Sequence, residues 1–268
     1  MASIMSSDAS EPLKVYWQPG CSSCLRTKEF LTRRNVRFVS VNVLEDARGF
    51  EELAQLGVRR VPIVSRGKAW VDGQVLADVA RLAHIDWRQP RALAPDVLAA
   101  RIVTVLAVAR ALLAQIPDDC LDMAFSQRRS TYRQHGRHIF RVVQAFLDLV
   151  EGGQRLEFSA YDLEIPPEIA TRSDLERFNA SVAARFERWR LTQAMHTDYA
   201  APADVYYGEQ TVHEFLERTA WHCAQHTRQL QLVVERLGFT PDRTLESAEL
   251  EGLPLPANVW DDQLAFAP

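Results

Sequence analysis

Hydrophobic and polar positions change their rhythm partway along this chain. Leu13–Trp17 is apolar around one lysine, and residues 36–43 alternate after a break at Asn35, so both stretches predict strands. Between them residues 25–34 carry helical spacing that turns Phe30 and Leu31 inward. Residues 47–56 predict a helix stopped by Gly57. A short apolar strand at 61–65, a turn at Arg66-Gly67, an edge strand at 69–71 and a helix over Leu76–Leu82 follow. The order is βαβ followed by αββα.

Beyond this the strand rhythm ends. Residues 86–95, with Trp87, Pro90 and Pro95, read as a linker, and the spacing then becomes helical over long stretches. Helices are predicted at 96–115, at about 130–150 up to Gly152-Gly153, from Ser173, and at about 209–237 up to Gly238. The third opens on Ser173-Asp174-Leu175-Glu176, which has the form of a capping box, and its apolar stripe is Leu175, Phe178, Val182, Phe186 and Trp189. No helix of this kind buries its stripe alone, so four of them imply a bundle. The expected fold class is α/β plus all-α: a leader at 1–11, an α/β domain at 12–85, the linker 86–95, a four-helix bundle at 96–238, and an extended tail at 239–268 packed on the bundle.

Composition adds bounds. A length of 268 residues suits two domains, and 47% hydrophobic with 25% charged residues is the balance of a soluble globular protein. A formal net charge of −4 gives no electrostatic reason to expect nucleic acid or an anionic membrane as partner. The longest apolar run, residues 98–113, is interrupted by Arg101 and Arg110, so no membrane span is expected. The leader is small and polar, unlike a signal peptide. Four cysteines do not make a disulfide framework in a chain of this size, which agrees with a reducing, cytoplasmic setting.

Two of those cysteines carry chemistry. Cys21-Ser22-Ser23-Cys24 sits where the first strand turns through Pro19-Gly20 into a helix. Free N–H groups and the dipole of a helix N-terminus favour thiolate over thiol, which makes Cys21 the expected nucleophile. Cys24, one turn deeper, is placed to attack a mixed disulfide on Cys21 and resolve it. Zinc would require a second ligand pair, and Cys120 and Cys223 are isolated.

These residues resemble the glutaredoxin branch of the thioredoxin fold, from about Leu13 to His84, through the CxxC at the first strand–helix turn, Val61-Pro62, and the Asp72-Gly73 turn before the last helix. The resemblance implies a cis bond before Pro62, with Val61 and Pro62 presenting backbone to a thiol ligand such as glutathione. Arg59 and Lys14 are then the cationic candidates for the peptide's carboxylates. Glutaredoxins usually place a double glycine and an acidic residue at the last turn, where this chain has Asp72-Gly73-Gln74-Val75-Leu76.

Histidines mark the helical half. On the fourth helix Phe215, Thr219, His222, His226 and Val233 share one face, and on the second His135, His138, Val142, Phe146 and Leu149 do. His222, His226 and one of His135 or His138 would offer three nitrogens with open positions for water or substrate. Each imidazole buried without a metal would otherwise need a polar partner. The HxxxH lacks the glutamate of a metalloprotease, its second residue being Cys223, which reads as a packed small residue.

The arrangement resembles the DinB/YfiT superfamily of metal-binding bundles, from about Asp96 to Gly238. Carried over, the resemblance makes His138, His222 and His226 the metal ligands, with His135 a fourth ligand or proton carrier. It implies a divalent metal, zinc foremost with nickel, iron or copper also suited, and a low-molecular-weight thiol. The leading expectation is a glutathione-linked, metal-dependent transferase or isomerase in the bundle, whose thiol adduct the CxxC domain reduces or releases. The alternatives are a glutaredoxin-type dithiol oxidoreductase with the bundle as docking module, and a non-catalytic metal- or stress-responsive binding protein. Expected partners are a small thiol and a small electrophile or disulfide, with no nucleic acid and no membrane; a homodimer is compatible with the resemblance.

Overall fold

The computed structural model describes residues 11–125, 130–161 and 164–260, so the expected leader lies outside the described residues except for Glu11. Two units divide the chain: residues 11–90 together with 256–260, and residues 91–255.

In the first unit the order is β1 (Leu13–Trp17), α1 (Ser22–Thr32), β2 (Val39–Asn42), α2 (Ala47–Gln55), β3 (Ile63–Arg66), β4 (Ala69–Asp72) and α3 (Leu76–Leu82). The sheet runs β2-β1-β3-β4, with β1 parallel to β2 and antiparallel to β3 (Val15 opposite Val64), and β4 antiparallel to β3. Alternation along β1 sends Leu13 and Val15 to a core with Phe30, Leu31, Leu76 and Val79, and Tyr16 to a second core with Val41, Leu53 and Val58. The sheet is therefore buried on both faces, α1 and α3 on one and α2 on the other. This mixed sheet with its helices fits a thioredoxin fold.

Local chemistry moves several boundaries. α1 begins at Ser22 rather than near Leu25, because Cys21 itself caps the helix. The second strand shortens at its start: Asn35 has φ 55° and Val36 N–H returns to the Leu31 carbonyl, which turns the chain before pairing begins. The third starts at Ile63, since the Val61–Pro62 bond is cis and proline has no N–H for the ladder.

The second unit is built on α4 (Pro95–Gln115), α5 (Tyr132–Gly152), α6 (Arg172–Thr192) and α7 (Val212–Arg236), with a short α8 (Ser247–Leu250) after them. α7 packs between α4 and α5, and α6 packs on both of those. Phe146, Phe186, Trp189 and Phe215 meet in its core, with Phe146 and Trp189 edge to face at 5.1 Å between centroids. The capping box of α6 is Thr171 with Asp174, two residues before the expected start, because Thr171 and not Ser173 has extended backbone and accepts the Asp174 N–H. α7 starts at Val212 rather than near Glu209: Pro202–Ala203 (β5) and Gln210–Thr211 (β6) pair as a hairpin, and Thr211 then caps the helix with Glu214. Among the described residues α4 is long and apolar enough to cross a membrane, yet its Ile102, Val105, Leu106, Ala109 and Leu112 are buried in the bundle core.

The tail departs from expectation. Residues 239–255 stay with the bundle, whereas 256–260 belong to the first unit, where the Ala257 and Asn258 N–H groups donate to Glu29 on α1. Glu29 offers two carboxylate oxygens, a stronger acceptor for free backbone donors than an apolar bundle surface.

One glycine ties this fold to the candidate site. A Cβ at Gly73 would stand 2.9 Å from Pro62 Cβ and 3.1 Å from Thr27 Oγ1, closer than a side chain tolerates. We expect Gly73→Ala to destabilise the first unit by roughly 1–3 kcal/mol through overpacking, read as a lower urea midpoint with unchanged slope.

Candidate thiol-disulfide and metal sites

Cys21 and Cys24 are joined as a disulfide with Cα atoms 5.2 Å apart. Cys21 is the N-cap of α1, its sulfur accepting the Cys24 N–H at 3.2 Å. Cys24 is buried and Cys21 is partly exposed, so attack from outside reaches Cys21 first. In the reduced state the same N–H and the helix N-terminus favour a thiolate there.

A relay of hydrogen bonds links this helix to the cis-proline turn. Gly73 N–H donates to the Pro62 carbonyl at 2.9 Å, and the Thr27 hydroxyl reaches the Gly73 carbonyl at 2.7 Å, with the Ser23 carbonyl also in range at 2.9 Å. Asp72 fixes the far side of the turn, accepting Gln74 N–H at 3.0 Å and Arg60 Nε at 2.9 Å. Burial pushes the Asp72 carboxyl up from its ordinary value, against the pull of those two donors.

The structure separates the cationic candidates. Lys14 lies toward the far end of β1 from the disulfide and pairs with Glu52 at 2.8 Å, with the Tyr16 hydroxyl on the same carboxylate at 2.7 Å. An ammonium committed to that carboxylate is not brought to a ligand at Cys21. Burial, then the Glu52 hydrogen bond, raises Tyr16 to about 12. Arg59 is exposed, and the neighbouring Arg60 is the guanidinium built into the turn. Val61 is half-buried and Pro62 buried. Sequence reasoning missed Thr27 and Arg60, and read Asp72 only as part of a turn, because their role follows from the turn's path across α1.

In the bundle, His138, His222 and His226 converge, their ligand atoms all within 4.8 Å of one another. His222 and His226 sit one turn apart on α7 with Nε2 atoms 3.0 Å apart. Two nitrogens bound to one tetrahedral zinc at about 2.0–2.1 Å stand roughly 3.3 Å apart, so this pair fits a shared ion with little movement. His226 Nδ1 donates to Gln229 Oε1 at 2.7 Å, which directs the Nε2 lone pair toward the cluster. Burial, and after it the Arg218 charge, keeps His222 well below its ordinary value, and burial does the same to His226. Both imidazoles are therefore neutral at pH 7, the state that ligates. His138 is packed against them, with ring centroids 4.7 Å from His226 and 5.5 Å from His222. The set is compatible with a divalent metal.

His135 faces elsewhere: its Nε2 donates to the His226 carbonyl at 2.9 Å, and burial lowers it to about 4. Cys223 is buried against the Ala220 carbonyl, and burial raises its thiol strongly. Tyr161 stands against both His138 and His222 at 5.8 Å between centroids, and its hydroxyl accepts from buried Arg218 at 3.1 Å. Gln229 and Arg218 were legible only as spacings of three after His226 and four before His222, and polar residues at such spacings ordinarily face water.

Family comparison agrees with this division. The glutaredoxin family model matches residues 13–71 and the DinB superfamily model residues 101–230. The chain is 35% identical over 75 residues, 28% of this chain and 92% of the relative, to a Clostridium pasteurianum protein described as an uncharacterized glutaredoxin-like 8.6 kDa protein in rubredoxin operon. No solved structure matches the chain.

The buried neutral histidines set a pH dependence. A folded value below the unfolded one means that the unfolded state binds more protons on acidification. Stability is then full above about pH 6.5 and falls as pH drops below it. With His135 at about 4 in the fold, lowering pH from 7 to 5 costs about 2 kcal/mol from this residue alone. The metal-free bundle should melt lower at pH 5 than at pH 7, and His135→Gln, which keeps a donor but does not titrate, should shrink that difference.

Proposed function

This chain belongs to the glutaredoxin family over residues 13–71 and to the DinB superfamily over residues 101–230, and from that pairing we propose that it is a low-molecular-weight-thiol enzyme with two centres. The bundle is read as a metal-dependent transferase or isomerase acting on a small electrophile, with glutathione or a similar thiol as co-substrate. The first unit then reduces or releases the thiol adduct. One observation carries this reading: three buried imidazoles, His222 and His226 held neutral, converge among the described residues in the same chain as a helix-capping CxxC. A divalent cation, when bound there, supplies Lewis-acid polarisation or lowers the pKa of a coordinated thiol. His138, His222 and His226 would hold it, Gln229 would fix the His226 tautomer, and their burial in the bundle would limit bulk water.

At the first unit the exchange runs from the reduced pair. The Cys21 thiolate attacks one sulfur of a small disulfide, or of a thiol adduct held through an S–S bond, a Cys21 mixed disulfide forms, and the other half leaves as thiolate and takes a proton from solvent. Cys24 then attacks the Cys21 sulfur, releases the bound half, and closes the Cys21–Cys24 disulfide. Two molecules of the low-molecular-weight thiol return the pair to dithiol and leave as their own disulfide. The second reading makes this exchange the whole activity; the partly exposed Cys21 at the N-cap of α1, joined to buried Cys24, favours it.

Metal content of tag-free protein, compared with His222→Ala/His226→Ala, separates the two. Near-stoichiometric metal lost in the double variant supports the two-centre enzyme. No metal in either protein after reconstitution leaves the oxidoreductase. In the two-centre enzyme Cys21→Ser should abolish disulfide exchange and leave thiol-plus-electrophile conversion intact.

A further inference from the structure

The chain's last described residues lie beside its first reactive group. Residues 256–260 belong to the first unit, and three hydrogen bonds fasten them to one carboxylate on α1. Glu29 accepts the Ala257 N–H at 2.6 Å, the Asn258 N–H at 2.9 Å and the Asn258 side-chain amide at 2.9 Å. Bonds from N–H groups to a carboxylate are the strong kind, and three on one acceptor fix the direction of the segment. Two residues on, the Trp260 ring lies over the Gly20 turn, where a Cβ would stand 3.4 Å from the indole. Gly20, with φ 75°, is the residue before Cys21.

Access to the redox pair is thereby narrowed. Cys24, Ser22 and Ser23 are buried, so an incoming sulfur must reach the partly exposed Cys21, and the Trp260 ring is packed at the residue just before it. Glu29 also accepts from Arg33 at 2.9 Å, one turn on in the same helix, so it has a partner without the segment. Among the described residues the sheet and its two cores are likewise formed by residues 13–87.

We propose that residues 256–260 form a size filter on the thiol-disulfide site, with Trp260 as a specificity-determining residue that admits small thiols and disulfides to Cys21 and excludes disulfides carried by folded proteins. This rests on the reading of the first unit as an exchange site. A small disulfide needs room only along the line of attack on sulfur. A protein partner must lay roughly 800 Å² of its own surface around that sulfur, and the fastened segment occupies part of that ground.

Labelling of Cys21 tests the filter without turnover. Full-length protein carrying Cys24→Ser and Cys120→Ser is reduced with a phosphine and treated with iodoacetamide or with a long polyethylene-glycol maleimide, and modification at Cys21 is timed by peptide mass. Trp260→Ala and Glu29→Ala, each added separately, should raise the polymer's rate several-fold and leave iodoacetamide's unchanged, while Glu29→Gln, which keeps one acceptor oxygen for Asn258 but turns an amide donor on the Ala257 N–H, should fall between the parent and Glu29→Ala. Equal changes for both reagents, or no change for either, would overturn the filter. Turnover of a small disulfide against a protein disulfide by the protein with all cysteines present tests the underlying reading separately. Failure on both substrates removes the exchange reading, and the labelling ratio still decides whether Cys21 is screened.

Discussion

Burial of polar side chains along α7 is the constraint on which the second unit depends. A helix wrapped on several sides normally carries only apolar residues, yet α7 buries Glu217, Arg218, Gln225, Gln229 and two histidines. Each of these groups costs several kcal/mol in an apolar setting unless a partner replaces water. The structure answers with short local bonds: Gln229 to His226, His222 to His226, Arg218 to Tyr161, and the Thr219 hydroxyl to the Phe215 carbonyl. The desolvation that makes these groups costly also keeps the imidazoles neutral, so one constraint yields both the polar interior and a donor set fit for a cation.

The first unit reaches its site by a different route. Here the chemistry sits at the edge of the fold, on a helix cap, and what needs positioning is backbone. Pro62, Gly73 and Thr27 lie far apart in sequence and pass hydrogen bonds from the cis-proline turn to the helix that carries Cys21. Gly73 belongs in that chain because no side chain fits between Pro62 and Thr27. A double glycine, as glutaredoxins usually show at this turn, is replaced by Gly73-Gln74 with Asp72 buried against Arg60. The turn is therefore held by a charged pair inside the protein, and that leaves less freedom for a ligand to recruit Asp72 directly.

Exposure differs between the two candidate sites. Cys21 is partly exposed above buried Cys24, whereas the three converging imidazoles of the bundle, His138, His222 and His226, are buried together. Burial of this kind protects a thiol or a donor set from adventitious oxidation and competing solvent.

The two halves, the CxxC at a strand–helix turn and the HxxxH on one helix face are legible in the chain, because each is a local pattern of periodicity. The cis bond before Pro62 and the choice of His138 over His135 came from the family resemblances. Only tertiary structure decided which charges were free for a ligand: Lys14 is drawn to Glu52, Arg60 rather than Arg59 enters the turn, and His135 turns to a backbone carbonyl, choices set by neighbours across the fold. The same holds for helix starts at Arg172 and Val212, where backbone geometry picked one threonine cap among several polar candidates. The tail followed the same logic: an apolar stretch after a bundle reads locally as part of that bundle, and three donors meeting one carboxylate on α1 placed it elsewhere.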